Sequence, residues 1–147
     1  GTQVGGSFYG ASGTPMTTYV NTVNQTEVMV NGRGDMGRTP VLSQTDLLVS
    51  HELKTGGEKR VRLELQVLNV FNQQTARHIF NYMNRGGGVA RQSSAIDLSN
   101  VDLAKGYDYN ALILKTSEGA GAYDPRYKKA DLFQEGTHAY MTVRFLF

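Results

Sequence analysis

The chain has 147 residues, about one domain's length, with 15 basic and 13 acidic side chains and a formal net charge of +2. This near-neutral balance excludes the basic surface that nucleic-acid binding needs, and the lack of cysteine excludes disulfides and thiolate metal sites. Apolar runs are short, as at residues 111–114, whereas a transmembrane helix needs roughly 20 apolar residues. The composition therefore predicts no nucleic-acid partner and no transmembrane helix.

The first predicted strand covers residues 2–11. Val4 and Phe8 share one of its faces, with glycines between and beyond them. Apolar residues at every second position are the mark of a strand with one apolar and one polar face. Residues 12–42 follow as a long predicted loop, in which residues 25–31 are a candidate short strand.

The loop segment NGRGDMGRTP, residues 31–40, contains three overlapping patterns. Its glycines have the spacing G-x-G-x-x-G, but Pro40 and an alternating run follow where a dinucleotide site requires a helix. The tripeptide RGD, residues 33–35, is short enough to occur by chance in a Gly-rich loop. We therefore interpret the glycines as turn residues that tolerate positive φ, and the third pattern, GRTP, as the approach to a strand.

Two further strands are predicted at residues 43–53 and 61–71. In both, apolar residues alternate with polar ones, as in Val61, Leu63 and Leu65 against Arg62 and Glu64. The short connection KTGGEK between them contains two glycines, which predicts a hairpin turn.

Residues 72–136 form a connection much longer than a compact soluble domain normally has without a function for it. One short helix is predicted near residues 108–118, capped by Asp108 and ended by Gly119. Five tyrosines of this loop are candidate ligand contacts, although such residues more often pin a loop to itself. They are Tyr82, Tyr107, Tyr109, Tyr123 and Tyr127.

The last predicted strand, residues 137–147, has the clearest alternation. One face carries Ala139, Met141, Val143, Phe145 and Phe147. The other face carries polar residues such as Thr142 and Arg144. The predicted strands are about nine to eleven residues long, the length of a tilted strand that crosses a bilayer, whereas soluble strands are usually nearer five or six. Strand length and uneven loops favour an antiparallel transmembrane β-barrel over an ordinary soluble sheet.

No pattern of side chains predicts catalysis, a cofactor or a metal site. His51, His78 and His138 are far apart and lie on different predicted elements. No Ser/His/Asp arrangement has local support. The aspartates of the long loop are spaced too loosely for an EF-hand, although an irregular calcium site there stays open. We therefore expect a protein that is not an enzyme.

Several ordered motifs resemble the closing segment of TonB-dependent outer-membrane receptors. In that family an R-x-P element precedes an L-D-L-type strand; a turn, a strand ending in N-L-F-N, the last outer loop and a final strand ending in Phe follow. The matching residues are Arg38, Pro40, Asp46, Leu47, Asn69, Phe71 and Asn72. Val70 departs from the pattern, because the family more often has Leu there. Residues 108–112 and 124–127 look most like the Oar-like group, whose receptors carry a carboxypeptidase-regulatory-like domain.

The resemblance implies an all-β chain of long antiparallel strands that forms the C-terminal part of a transmembrane β-barrel. The implied partners are outer-membrane lipid and the remainder of the receptor barrel and plug, with TonB reached only through N-terminal parts outside this sequence. The apolar positions leading to Phe147 resemble the C-terminal signal for barrel assembly. If Phe147 is periplasmic, the turn at Gly56-Gly57 is periplasmic and the loops 12–42 and 72–136 are extracellular.

The family takes up scarce nutrients through the outer membrane of Gram-negative-type bacteria, and the substrate stays open here. Four long strands are fewer than the eight of the smallest membrane barrels, so we expect the chain to be a segment of a larger receptor. The start at Gly1, in place of Met, predicts a processed product or a fragment and fits a stable proteolytic product; whether Gly1 is a natural terminus stays open. The alternative is a released fragment that pairs with copies of itself through open strand edges and forms an extracellular filament or surface structure. A soluble carbohydrate- or peptide-binding β domain is the third alternative.

Overall fold

A computed structural model describes residues 1–23, 27–86 and 93–147. The backbone packs into two compact units, whereas the sequence is predicted as a single segment. Unit 1 comprises Gly1–Gly13, Pro40–Arg77 and Phe133–Phe147, and unit 2 comprises Thr14–Thr39 and His78–Leu132.

Most of the regular secondary structure in the described residues is strand, which confirms the predicted all-β class. The strands are β1 (Thr2–Ala11), β2 (Tyr19–Asn21), β3 (Glu27–Met29), β4 (Leu42–Gly56), β5 (Lys59–Leu68), β6 (Ala76–Ile79), β7 (Ala130–Phe133) and β8 (His138–Leu146). The predicted short helix is α1 (Tyr109–Leu114), and two 3-10 turns cover Leu103–Lys105 and Gly119–Ala122. Pairs β2–β3 and β6–β7 form two small sheets.

Unit 1 is built on a four-stranded antiparallel sheet in the order β1-β4-β5-β8. Strand β4 is longer than predicted, with an irregularity between Lys54 and Gly56. Strand β5 ends at Leu68, earlier than the predicted residue 71, because the chain turns at Asn69 with a φ of 52°. In the described residues the sheet is open, with β1 and β8 at its edges, and it does not close into a barrel.

The register of the sheet aligns apolar residues across all four strands. Val4 on β1 lies opposite Val49 on β4, which lies opposite Leu65 on β5, which lies opposite Met141 on β8. Directly opposed residues point to the same side of an antiparallel sheet. Because side chains alternate along every strand, this one row of opposed residues determines which face every other side chain of the sheet occupies.

Helix α1 belongs to unit 2 and is shorter than predicted. The Asp108 side chain accepts a hydrogen bond from the backbone N–H of Ala111 at 3.1 Å, so Asp108 is the cap that the sequence predicts. The helix ends at Leu114, because the Thr116 hydroxyl donates to the carbonyl of Ile113 at 2.7 Å. Gly119 opens the following 3-10 turn and does not end the helix.

Among the described residues of unit 2, the apolar core is small. Its fully buried members are Val20, Ile96, Ile113 and Ala122. Half-buried side chains such as Met83 and Leu98 pack against them. A cluster of this size buries little apolar area, so the polar contacts described below contribute much of the order in unit 2.

The turn after β5 is held by one buried asparagine. Asn69 is 2% exposed, and asparagine tolerates its left-handed backbone better than most residues do. Its backbone N–H donates to Asp46 Oδ1 at 2.9 Å, and its Nδ2 donates to the carbonyls of Gln73 and Glu135 at 2.8 and 2.7 Å. The Thr137 hydroxyl donates to the Asn69 carbonyl at 2.7 Å. This group, the Asn69 clasp, joins the ends of β4 and β5 to the start of β8.

Replacing Asn69 by alanine is expected to lower the free energy of unfolding by about 3 kcal/mol. The substitution leaves the carbonyls of Gln73 and Glu135 without their hydrogen-bond donor. It also places alanine, which tolerates positive φ less well than asparagine, at a φ of 52°. Denaturant unfolding of the full chain, followed by circular dichroism, measures the change.

Asn72→Ala is the matched control, because Asn72 also has positive φ but is exposed and accepts one 3.2 Å bond from the Thr137 N–H. Its expected loss is about 1 kcal/mol. Equal losses for the two variants would contradict the special role of Asn69.

Candidate functional site

One face of the unit 1 sheet is lined largely by exposed apolar side chains, with one polar pair among them, Thr2 and His51, whose Oγ1 and Nδ1 atoms lie 2.7 Å apart. Met141 is 76% exposed and Val4 is 70% exposed, although both lie in well-paired strands. We call this surface the apolar face, and its residues are Val4, Phe8, Leu47, Val49, Leu53, Val61, Leu63, Leu65, Val67, Ala139, Met141, Val143 and Phe145. A continuous apolar surface that spans four strands marks a site of contact with lipid or with another apolar surface.

The predicted assembly-signal residues lie together on this face. Those within β8 oppose a row of apolar residues on β5, in the pairs Ala139–Val67, Met141–Leu65, Val143–Leu63 and Phe145–Val61. Phe147 follows the end of β8 and is 93% exposed. The alternation read from the sequence is therefore the alternation of the folded strand.

The opposite face of the sheet, the polar face, carries paired charges. Glu64 lies between two arginines, with Arg62 Nε at 3.0 Å and Arg144 Nη2 at 3.4 Å from its carboxylate oxygens. Arg60 Nη1 lies 3.1 Å from Glu52 Oε1. Glu52 and Glu64 are thus paired with arginines within the sheet, beside apolar residues of the same face such as Leu48 and Leu146.

Part of the family motif meets in the Asn69 clasp. Asp46 accepts hydrogen bonds from the Asn69 N–H and from Gln44 Nε2, both at 2.9 Å. The bond from the Asn69 N–H is the main cause that lowers the pKa of Asp46 below its usual value. Asn72 donates its N–H to the Asn69 carbonyl at 2.9 Å. Leu47 points away from the clasp onto the apolar face.

The remaining motif residues do not join this group. Phe71 and Pro40 are exposed residues of unit 1. Arg38 belongs to unit 2 and forms an isolated antiparallel bridge with Pro15. The motif is therefore a set of strand-end contacts and does not form one binding site.

The RGD tripeptide lies in a turn that engages its aspartate. Asp35 accepts hydrogen bonds from the Thr18 backbone N–H at 2.7 Å and from the Thr18 hydroxyl at 2.6 Å. Gly32, Gly34 and Gly37 have φ values of 80°, 77° and 80°, in agreement with their interpretation as turn residues. Asp35 therefore holds the loop to Thr18, the residue that precedes β2.

Unit 2 contains a cavity of about 710 Å³. Side chains of three chemical kinds line it: the aromatic rings of Phe80 and Tyr82, the carboxylates of Glu27 and Asp124, and the guanidinium groups of Arg85 and Arg126. Glu27 and Arg126 are exposed residues, so solvent reaches the cavity. Its size lies within the range of about 300–1,000 Å³ that is usual for small-ligand sites.

Aromatic rings stack along one side of this cavity. The rings of Tyr19 and Tyr82 stack with their centroids 5.6 Å apart, and Phe80 lies 5.7 Å from Tyr82. The Arg126 guanidinium lies 4.1 Å above the Phe80 ring, a cation–π distance. Backbone bonds from Tyr19 to Asn81 and from Met83 to Tyr19, both 2.9 Å, hold the two segments side by side.

The Tyr82 hydroxyl donates to Glu27 Oε1 at 2.6 Å. Burial of the phenol and this contact with a carboxylate raise the pKa of Tyr82 to about 12. Both causes oppose formation of the phenolate, because it would be poorly solvated and would face a negative charge. Tyr82 therefore acts as a fixed hydrogen-bond donor at neutral pH.

Asp124 fixes the position of Arg126. Asp124 is 7% exposed, and its Oδ1 accepts from Arg126 Nε at 3.0 Å while Oδ2 accepts from Nη2 at 2.8 Å. These bonds are the largest cause that holds the pKa of Asp124 below its usual value, and the nearby charge of Arg85 adds to them. A two-point carboxylate–guanidinium contact sets the plane of the arginine.

Two asparagines form the buried wall of the cavity. Asn84 is 1% exposed; its Oδ1 accepts from the Asn21 N–H at 2.8 Å and its Nδ2 donates to the carbonyls of Asn21 and Ser94 at 3.0 and 2.8 Å. Beside them, a Cβ at Gly86 would lie 2.5 Å from Asn21 Cβ, so a side chain there would force Asn21 to move. The wall is thus fixed by polar contacts and by one close backbone approach.

Of the five predicted tyrosine contacts, Tyr82 lines this cavity. The hydroxyls of Tyr109, Tyr123 and Tyr127 lie 3.3 Å from Asn31 Oδ1, 3.1 Å from Asn110 Oδ1 and 3.0 Å from Thr18 Oγ1, respectively. Tyr107 is half-buried, and burial raises its pKa. Three of the five therefore bind other parts of unit 2 through their hydroxyls.

The sequence analysis missed most of the cavity residues. Phe80, Arg85 and Arg126 have no shared local pattern, because two chain segments bring them together. Asp124 and Arg126 are the exception, because they lie two residues apart on either side of a proline. At this spacing the carboxylate can reach the guanidinium.

In the described residues, no group of three His, Asp or Glu side chains has a geometry that could hold a metal ion. Within the same residues, no helix is long and apolar enough to cross a membrane. Comparison of the chain with protein-family models, with curated proteins and with solved structures found no match. The resemblance to TonB-dependent receptors therefore rests on the motifs of the sequence alone.

Glu27→Gln is expected to lower the pKa of Tyr82 from about 12, because it removes the facing negative charge. Since the folded-state pKa lies above the unfolded value near 10, the protonated phenol stabilises the fold below pH 10, and this contribution is lost as the pH rises through 12. Ultraviolet absorbance of tyrosinate after a rapid pH jump measures the titration.

Tyr82→Phe is expected to remove the phase near pH 12 from the same titration, whereas Tyr9→Phe, a change in β1, leaves it in place. An unaltered late phase in Tyr82→Phe would contradict the assignment.

Proposed function

We propose that the chain supplies barrel wall and outer loops to a TonB-dependent outer-membrane receptor, with the unit 1 sheet crossing the outer membrane. The observation that carries the proposal is the exposed apolar face, on which every strand of the sheet contributes apolar side chains in one register. Such a face is unstable in water and stable in hydrocarbon.

The strand lengths support a membrane-crossing role. Strands β1 and β5 have 10 residues each, β4 has 15 and β8 has 9. At about 3.3 Å per residue, ten residues extend about 33 Å. The hydrocarbon layer of a bilayer is about 30 Å thick, and a tilted strand crosses it with about 9–11 residues.

The paired charges of the polar face support a lumen-facing side. Glu64 with Arg62 and Arg144 would be costly against lipid, where a single arginine at the midplane costs about 2–4 kcal/mol. On the lumen side, the same residues keep their ion pairs and their hydrogen bonds to water. A slip of one residue would exchange the faces, so the register has strong energetic support.

The strand pairing supports the proposed topology. Ala11 at the end of β1 pairs with Leu42, and Leu68 at the end of β5 pairs with His138, so both long connections leave the same end of the sheet. We assign this end to the cell exterior and the tight turn at Gly57 to the periplasm. Short periplasmic turns and long outer loops are usual in such barrels.

Transport by such a receptor requires partners: the remainder of the barrel, a plug within it and energy from TonB. No catalytic role is proposed, and the cargo is not assigned by the barrel wall. The motif resemblance at Asp46, Asn69 and Asn72 supports the choice of receptor class, because these residues make the contacts that close the strand ends.

A second candidate function is self-assembly into an extracellular filament or surface structure. The observation that favours it is that β1 and β8 are edges of the sheet in the described residues. These two edges run in opposite directions, so β8 of one copy and β1 of the next can pair antiparallel. The apolar faces would then be buried against each other and not in lipid.

Leu65→Arg is expected to reduce the membrane-inserted fraction of the chain strongly, because it places a charge at the centre of the apolar face at a cost of about 2–4 kcal/mol. Gln66→Arg is the control, since the neighbouring residue lies on the polar face and is expected to insert normally. The amount of chain retained in carbonate-washed membranes gives the result, and equal retention of the two variants would count against the proposal.

Single cysteines distinguish lipid contact from self-assembly, because the natural sequence has none. A fluorophore at Met141→Cys is expected to be quenched by spin-labelled lipid, and one at Thr142→Cys by aqueous iodide, in membranes of cells that make the protein. In a filament, the label at position 141 would be shielded from both quenchers. Quenching of both labels by iodide alone would contradict both functions and favour a soluble domain.

A further inference from the structure

We propose that the cavity of unit 2 binds an uncharged sugar. The inference concerns contacts within unit 2 alone, so it does not depend on the function proposed for the sheet. It rests on the charge balance of the cavity, on the rigidity of its polar groups and on its aromatic wall.

Among the residues that the structure describes, the charges that line the cavity cancel. Arg85 and Arg126 contribute two positive charges, and Glu27 and Asp124 contribute two negative charges. A ligand with a net charge would therefore find no matching excess of opposite charge. An uncharged polar ligand avoids this mismatch and keeps its hydrogen bonds.

Two polar side chains of the cavity, those of Arg126 and Tyr82, are held in place before a ligand arrives. Arg126 is fixed by Asp124 and by the Phe80 ring, and Tyr82 is fixed by Glu27. Groups that are already ordered lose little conformational freedom on binding. Planar guanidinium and carboxylate groups can bind two neighbouring hydroxyls of a sugar ring at once.

Hydrogen-bonding capacity remains in the cavity. In the part of the chain that the structure describes, the Arg85 guanidinium, Arg126 Nη1 and Glu27 Oε2 make no hydrogen bond to another side chain. Together they offer both donors and an acceptor, which is what hydroxyl groups require because each hydroxyl both donates and accepts.

The aromatic wall complements the apolar part of such a ligand. Phe80 and Tyr82 contribute ring carbon atoms to the lining, next to the donors and the acceptor. A sugar ring presents C–H groups beside its hydroxyls, so it can contact rings and planar polar groups together. The cavity volume of about 710 Å³ accommodates one or a few sugar units.

The test is isothermal titration of the full chain with neutral xylo-, malto-, cello- and manno-oligosaccharides. The expected result is saturable binding of at least one of these series, with little change when salt is raised. Uronic-acid oligosaccharides and free amino acids serve as charged and zwitterionic probes. Tighter binding of either of these would overturn the proposal, as would the absence of binding to every neutral series.

Arg85→Gln is expected to weaken sugar binding about tenfold or more, because it removes donors that face the ligand. Arg33→Gln, an equal charge change in the same unit but outside the cavity lining, is expected to bind as the natural chain does. Arg85→Lys keeps the charge but loses the planar group, so it should resemble Arg85→Gln.

Circular dichroism of each variant separates lost binding from lost folding. Equal binding by Arg85→Gln and Arg33→Gln would place the sugar elsewhere and overturn the proposal. Failure of the membrane tests above, with sugar binding intact, would affect only the function proposed for the sheet.

Discussion

The register of the unit 1 sheet depends on the turn at Asn69. A strand of alternating residues has two faces, and one residue of slip exchanges them. The Asn69 clasp opposes such a slip, because Asn69 bonds both to Asp46 in β4 and to Glu135 and Thr137 before β8. The turn after Leu68 therefore sets the register between β5, β4 and β8 at this end of the sheet.

Unit 2 is ordered by a different balance of forces. Its apolar core is small, and polar pairs such as Asn21–Asn84 and Asp124–Arg126 fix the chain where packing alone would not. Buried polar groups stabilise a fold only when all of them are paired, so each pair also specifies one arrangement. A cavity with rigid polar walls is a direct result of this way of folding.

The sequence predicts the sheet better than it predicts the cavity. Period-two alternation and helix-cap signals both depend on neighbours along the chain. Alternation therefore predicts β1 and the face of Leu65, and the cap signal predicts Asp108. The end of β5 was placed too late, since alternation continues through Phe71 while the backbone turns at Asn69. The contact of Arg126 with Phe80 joins residues 46 positions apart, and local pattern has no information on such contacts.

The two functions proposed for the sheet share one physical requirement and differ in what satisfies it. The apolar face must leave water, either into lipid or against another copy. In both cases β1 and β8 must also pair with further strands, because lipid offers no partner for an edge and a filament grows through edges. The polar face separates the two cases, because Glu64 and its arginines need contact with water. The water-filled lumen of a barrel provides this contact. A stack of sheets provides it only if the polar face of each sheet stays exposed. Lipid on one side and water on the other match the two faces directly, so the membrane function satisfies both faces of a single sheet at once.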